Sequence, residues 1–496
     1  MSNPITPEEF KKVYGTLRET FATGKTKSIK WRKWRKWQLK QLYWLLDENE
    51  DAFIESLTKD LHRSAFESLL TDINDAKNAI LEAVSDVETW AQGTAPPKAG
   101  IVYGYFGKAW VRKEPRGLVL IIGAWNFPIS TLINVVVPAI AAGNAVIMKP
   151  SEMASHTEQL LGRLVPAYMD TSAIALVQAN PEAMSFVLDH KFDFIFYTGS
   201  TRVGRIIASA AAKYVTPTAL ELGGQAPGIV TKHADVDLAA KRIINAKLSN
   251  LGQICICVNH VFADPEIHDK LVERLQYWAN KLLESGTETL CRIISERHFD
   301  RLHALLEKTE GKVVFSGDHF REQKLVYPTI VTNVSMSDSL LSEELFGPVL
   351  PVIKAGSEAA LEAINRGAHP LALYIFSQKQ SEIDHIVNST QSGGVTINDV
   401  GLHADVHSAP FGGVGDSGYG NYHGQWGFET FSHSRSIVTV PAWIERFTTW
   451  RYPPFDTANR SSIDPGKPPF KKGETMEEQR VGRSLLSNIP VLGSLF

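Results

Sequence analysis

The sequence predicts an α/β protein built on parallel sheets, and three observations carry that prediction. Short apolar runs alternate with helix-like segments from Leu118 to Leu222, the pattern of βαβ units. A second alternation of the same kind runs from about Pro227 to Asn398. No charged residue stands between Gly117 and Met148, as expected of strands and a helix covered on both faces.

Each element has a local reason. Thr6 as N-cap, Pro7 in the first turn and Glu9 three residues on form a capping-box signature. Phe10, Val13, Tyr14, Leu17 and Phe21 follow at helical spacing, and Gly24 is the stop. Helical stretches are expected over Ile29–Leu61 and Ala65–Trp90. The segment 99–114 reads as a β-hairpin. Strands are then expected at LVLII, AVIM, IALVQ, FDFIFY and TALEL, and in the second alternation at GIV, HVFA, GKVVF, PVI and GVTIN. The uncharged run is long enough to suggest a membrane span, but Asn126, Pro128, Asn134, Pro138 and Asn144 punctuate it. A strand, a loop, a core helix and a second strand parse it better.

Composition narrows the function. A length of 496 residues suggests about three structural units. The 51 basic and 54 acidic side chains give a net charge of −3, which argues against a general polyanion binder. Three cysteines, Cys255, Cys257 and Cys291, are too few for a disulfide framework and point to a reducing, cytoplasmic compartment. No secretory segment is visible at the start, so the sequons at Asn333, Asn388 and Asn459 read as chance matches.

A glycine pattern at Gly413, Gly415 and Gly418 fits the dinucleotide fingerprint but lacks its strand, helix and acid, so a backbone turn is expected there. Tyr197–Gly204 is the better phosphate candidate, because it closes a strand and opens a helix whose free amides face one spot. A helix capped without any ligand is the plainer alternative for that segment. Cys255 lies in a glycine-containing turn between helix-like and strand-like segments. It is a candidate nucleophile, with a small buried hydrophobe as the plainer reading. Glu221 ends an apolar strand beside two glycines. Partial burial there would raise its pKa toward that of a general base, and a salt bridge is the alternative.

Six motifs together resemble one family, the NAD(P)-dependent aldehyde dehydrogenases, in its class 3 or fatty-aldehyde branch. They are Gly123-Ala-Trp-Asn126-Phe-Pro, Lys149-Pro-Ser-Glu152, Tyr197-Thr-Gly-Ser-Thr, Leu220-Glu-Leu-Gly-Gly, Gly252-Gln-Ile-Cys255 and Glu343-Glu344-Leu-Phe346-Gly-Pro. The segment from Pro410 to Gly418, with Tyr422-His423-Gly424 and Phe428-Glu-Thr-Phe-Ser-His after it, looks particularly class 3. The resemblance spans about Thr6 to Val440.

It implies the aldehyde dehydrogenase fold: a Rossmann-like cofactor domain (1–100 and 116–221), an α/β catalytic domain (222–402), bridging and oligomerisation segments (101–115 and 403–440), and an extension (441–496) that gates the site or touches a membrane. It also implies roles. Cys255 is the nucleophile, Asn126 an oxyanion donor and Glu221 the base. Lys149 and Glu152 bind the adenosine ribose, while Gly199, Ser200, Thr201 and Gly204 form the pyrophosphate turn. Glu344 binds the nicotinamide ribose and Phe346 packs near the nicotinamide. NAD is the implied cofactor, with NADP left open, and no metal is called for.

Implied partners are an apolar medium- or long-chain, aromatic or apocarotenoid aldehyde and a second copy of the chain. A catalytically silent relative and a CoA-acylating enzyme are the rivals; the intact Cys255, Glu221 and Asn126 count against the first, and Glu221 against the second. Gln225, Leu251 and Ile254 depart from the commoner residues of the family and make the pocket more apolar. Cys257, two residues from Cys255, is a candidate partner in an oxidised state. The basic, tryptophan-rich run Lys30–Lys40 reads as a solvated helix face. Contact with anionic headgroups is the sharper alternative, and the apolar end Ser484–Phe496 raises the same question.

Overall fold

A computed structural model describes residues 4–27, 32–97, 99 and 104–458, together with 468, 472, 473 and 475–477. The chain separates into a large unit (residues 1–94 and 111–435) and a small one (95–110 and 436–496).

The large unit opens with helices α1 (Pro7–Ala22), α2 (Arg32–Asp47), α3 (Glu50–Leu61), α4 (Ala65–Ser68) and α5 (Asn74–Trp90). The capping box on α1 is present in full, with Thr6 and Glu9 each accepting from the other's backbone. The helical stretch expected over 29–61 is broken at Glu48–Asn49, and its first residues, 29–31, lie outside the described residues. A π-turn (Leu69–Ile73) joins α4 to α5 and carries Asp72 fully buried.

The first alternation gives β1 (Trp110–Pro115), β2 (Leu118–Ile122), α6 (Ser130–Ala142), β3 (Ala145–Lys149), α7 (Ser155–Tyr168), β4 (Ile174–Leu176), α8 (Pro181–Leu188), β5 (Phe194–Gly199), α9 (Thr201–Ala212) and β6 (Thr218–Leu222). The second gives β7 (Pro227–Val230), α10 (Val236–Leu248), β8 (His260–Ala263), β9 (Lys312–Phe315), β10 (Thr329–Thr332), β11 (Val349–Lys354), β12 (Ala372–Phe376) and β13 (Gly394–Ile397), and β14 (Gly418–Tyr419) and β15 (Ser432–Ile437) follow. Strands β10 and β12 were not anticipated from the sequence.

One sheet has the order β14-β6-β5-β2-β3-β4, parallel throughout except for β14. The other has the order β13-β12-β7-β8-β11-β10-β9, parallel except for β9. In the first sheet successive residues face opposite cores, as a period of two requires. Leu118, Leu120 and Ile122 join the core that holds Phe10 and Leu17 of α1. Val119 and Ile121 join the one formed with α2, α5 and α6. The chain leaves β2 for β3 on one side and later places β5 on the other. The carboxyl ends of β2 and β5 therefore flank a topological switch point, where such sheets bind ligands.

The hairpin expected over 99–114 is realised differently in its described part. Residues 104–106 form a helical turn, β1 pairs with β15, and Val111 bridges Thr94. Residues 100–103 lie outside the described residues, as do Lys30, Trp31 and Ser484–Phe496. Within the small unit, Phe106 packs edge-on against Trp443 at 4.9 Å, and the Thr439 amide donates to the Gly107 carbonyl at 2.8 Å.

Candidate active site

The carboxyl ends of four parallel strands carry the predicted groups to one edge. Ile122 is level with both Lys149 and Tyr197, and Thr198 with Glu221. Asn126 follows four residues after β2, Lys149 ends β3, Gly199 ends β5, and Glu221 stands one residue from the end of β6.

Lys149 is buried and ion-paired to Glu152. Gly199 and Ser200 turn the chain into α9, whose N-cap, Ser200, makes no side-chain capping bond, so its hydroxyl and the first amides are left to other partners. Thr201 is the first helical residue. A Cβ on Gly204 would lie 2.7 Å from Leu222 Cδ2, so glycine is what lets α9 lie close on β6. The 413–418 glycine run is the expected turn: Ser417 Oγ accepts from the Val414 amide at 3.0 Å. Its Gly418 pairs with Glu221, at a place where a Cβ would collide with the Leu220 carbonyl.

Cys255 is half-buried in the turn between α10 and β8. That turn is over-determined. The fully buried Gln253 donates Nε2 to the carbonyls of Asn250 and Arg292, each at 3.0 Å, and accepts from the Ile294 amide at 3.0 Å. Tyr374 donates its hydroxyl to the Ile256 carbonyl. Gly252 has φ +73°, and a Cβ there would meet the Gly347 carbonyl at 2.4 Å, so only glycine fits. Asn126 donates Nδ2 to the Gln253 carbonyl at 3.1 Å, two residues before Cys255. An amide nitrogen carries two hydrogens, so one remains to donate.

Glu221 is 3% exposed, and neither carboxylate oxygen has a hydrogen-bond partner among the described residues. Burial drives its pKa well above the usual carboxylate range. Burial also pushes the Cys255 thiol up to about 12, helped by the charges of Glu344 and Glu221; its own amide and that of Ile256 work in the opposite direction. Glu344 leans on Gly223, where a Cβ would lie 2.2 Å from Oε2. Burial raises its pKa to about 7, against the Gly224 amide, Arg301 and Lys247. Phe346, with φ +49°, stands edge-on to Trp125 at 5.3 Å. Cys255, Glu221 and Glu344 thus share one electrostatic environment, and Asn126 abuts the same turn.

Sequence reasoning missed the supporting groups Arg63, Asn250, Gln253 and Tyr374. Gln253 lay inside a recognised motif; the others carried no local signal. Among the described residues no cluster fit to hold a metal occurs. A dinucleotide fits the residues present: α9 offers uncapped amides behind a glycine, and the Lys149–Glu152 pair lies at the neighbouring strand end.

The sequence profile of the aldehyde dehydrogenase family matches residues 4–437. The chain belongs to that family. It is 38% identical to aldehyde dehydrogenase family 3 member B1 of Homo sapiens, over 88% of this chain and 93% of the relative. To the dimeric, NADP-preferring aldehyde dehydrogenase of Rattus norvegicus it is 38% identical over 88% and 96%. The beta-apo-4'-carotenal oxygenase of Neurospora crassa is 37% identical over 90% and 83%. Among solved structures, a substrate-bound AldH of Staphylococcus aureus aligns with a TM-score of 0.83 and 30% identity, over 89% of this chain and 98% of that one. The activity that goes with this aldehyde dehydrogenase fold is oxidation of an aldehyde with NAD or NADP.

Proposed function

We propose that this aldehyde dehydrogenase oxidises apolar aldehydes, of medium or long chain, aromatic or apocarotenoid, to carboxylic acids. The observation that carries the mechanism is the buried, unpartnered carboxylate of Glu221 in the electrostatic reach of Cys255. The Cys255 thiol gives up its proton to solvent water as Sγ attacks the aldehyde carbon, which forms a thiohemiacetal with the negative charge on the former aldehyde oxygen. The free N–H of Asn126 and the Cys255 amide hold the oxyanion, each such donor lowering the barrier by about 3 kcal/mol. NAD(P), held by the residues named below, would supply the hydride acceptor, which leaves a thioester on Cys255. Glu221 then takes a proton from water, whose oxygen attacks the thioester carbon and releases the acid from Cys255.

The uncapped α9 amides and Ser200 would hold the pyrophosphate, Lys149 and Glu152 the adenosine ribose, and Glu344 and Phe346 the nicotinamide end. Glu152 favours NAD, since a carboxylate there repels a 2′-phosphate. Ile254, next to Cys255 in the sequence, supports an apolar substrate, as does the likeness to a carotenal oxygenase; Leu251, expected to do the same, is instead fully buried in the core of the second sheet. Residues 101–115 and 403–440 are proposed to bridge two copies of the chain, in keeping with the dimeric relative. Trp37 and Trp44, 58% and 46% exposed on the lysine-bearing helix α2, suit a weak contact with an anionic membrane surface.

The test follows reduced-cofactor absorbance with NAD or NADP and aldehydes from propanal to hexadecanal, cinnamaldehyde and an apocarotenal. Turnover rising with chain length and absent in Cys255→Ala is the expected result. Tight cofactor binding without turnover of any aldehyde would overturn the proposal.

A further inference from the structure

Beneath the nucleophile turn lies a buried polar ring that the chemistry above does not use. Arg63 stands between α3 and α4 with its side chain fully buried. Nη1 donates to Asp72 Oδ2 at 3.0 Å. Nη2 donates to the Asn126 carbonyl and, at 2.7 Å, to Asn250 Oδ1. The Asn250 amide closes the ring by donating Nδ2 to the carbonyls of Asn126 and Gln253, each at 3.0 Å. The carbonyl of Gln253 also accepts the Asn126 side chain. One guanidinium therefore grips both the backbone of Asn126 and the turn that carries Cys255.

Two features say that this grip is more than packing. Even paired with Asp72, a fully buried cation is costly to desolvate, and apolar side chains fill such a space at less cost, so the pair points to a task beyond stability. The turn itself is strained: Asn250 and Leu251 have φ of +45° and +52°, a conformation that persists only where surrounding bonds enforce it. Glu67, one turn beyond Arg63, enforces it too by accepting from the Asn250 amide.

We propose that Arg63 is a positioning residue of the reaction, acting through Asn126: it sets the separation of the oxyanion donor from the Cys255 sulfur. A lysine would do this less well, because its donors radiate from one nitrogen, whereas here two nitrogens of a rigid fork meet three fixed acceptors. The inference rests on the oxyanion role proposed for Asn126.

The experiment is a double-mutant cycle on the full chain with cofactor. Arg63→Met combined with Asp72→Asn removes both buried charges together, and of the ring's acceptors only Asn250 Oδ1 loses its donor. It is measured in the parent and in an Asn126→Ala background. In the parent, kcat/KM for the aldehyde should fall about 100-fold, the effect of losing one oxyanion donor, with the KM for cofactor unchanged. In Asn126→Ala the same pair should cost less than about threefold, since the group it positions is gone. Arg63→Lys should fall between parent and pair.

An equal loss in both backgrounds, or no loss in the parent, would overturn the proposal. Asn250→Ala cuts the same ring without touching a charge and must show the same non-additivity, which covers poor folding of the double variant. A parent that turns over no aldehyde would instead defeat the functional reading itself.

Discussion

A carboxylate with both oxygens buried and unpartnered, as at Glu221, has lost its hydration without compensation, so the folded chain holds that proton more tightly than the unfolded one. Stability is therefore full below the unfolded pKa and declines as pH rises through it toward the folded value. Glu221→Gln should raise Tm by a few degrees at neutral pH, reflecting about 1–3 kcal/mol of relieved desolvation, while parent and variant converge under acid; scanning calorimetry across pH checks it. The same shift gives turnover an acid limb, because only the deprotonated base accepts from water. In Glu221→Gln that limb disappears with steady turnover, while a first burst of reduced cofactor remains. A thiol pushed up to about 12 leaves Cys255 protonated at rest. Glu344→Gln removes the larger of the two repelling charges, and should speed iodoacetamide labelling of Cys255 in cofactor-free protein by roughly threefold to tenfold at pH 8. An unchanged rate would separate Glu344 from the thiol.

Elements translate these residue effects into binding. Helix α9 can present its amides only because Gly204 lets it lie against Leu222, so Gly204→Val should tilt the helix outward. The expected result is a cofactor Kd at least about tenfold weaker, with kcat at saturation nearly kept; fluorescence titration beside kinetics checks it. Most elements were legible because their signals are local. Thr6 and Glu9 announce α1, and uninterrupted apolar runs announce β2, β3 and β5. What failed was long-range or ambiguous. The partner of β1 is more than three hundred residues away, and nothing in 99–114 encodes that pairing. The short apolar run of β12 cannot be told from a buried helix by periodicity. No Gly or Pro marks the break at Glu48–Asn49. In the site, Cys255 and Glu221 stood out by chemistry and motif. Arg63 lies in the short polar link between two helical stretches, where an arginine normally faces solvent, and only tertiary contacts bury it.

At the scale of the whole molecule, the small unit exposes Tyr105, Phe447 and Phe455 at 77%, 70% and 79%, with Trp443 at 48% beside Phe106. Aromatic groups exposed together mark an association surface, and a net charge of only −3 opposes self-association weakly. Tyr105 and Phe106 belong to a bridging segment proposed above, so a second copy is the occupant proposed for this surface, and light scattering should give twice the chain mass of 54.9 kDa. Trp443→Asp combined with Phe447→Asp should lower that mass toward the monomer if this surface takes part. The same variant separates the two proposed uses of the surface. Loss of the dimer with flotation on anionic vesicles unchanged assigns these aromatics to the partner copy and leaves α2 as the membrane candidate. A parent that already runs as a monomer, and whose flotation is lost in this variant, reverses that assignment, because the exposed rings would then be covered by lipid rather than by protein.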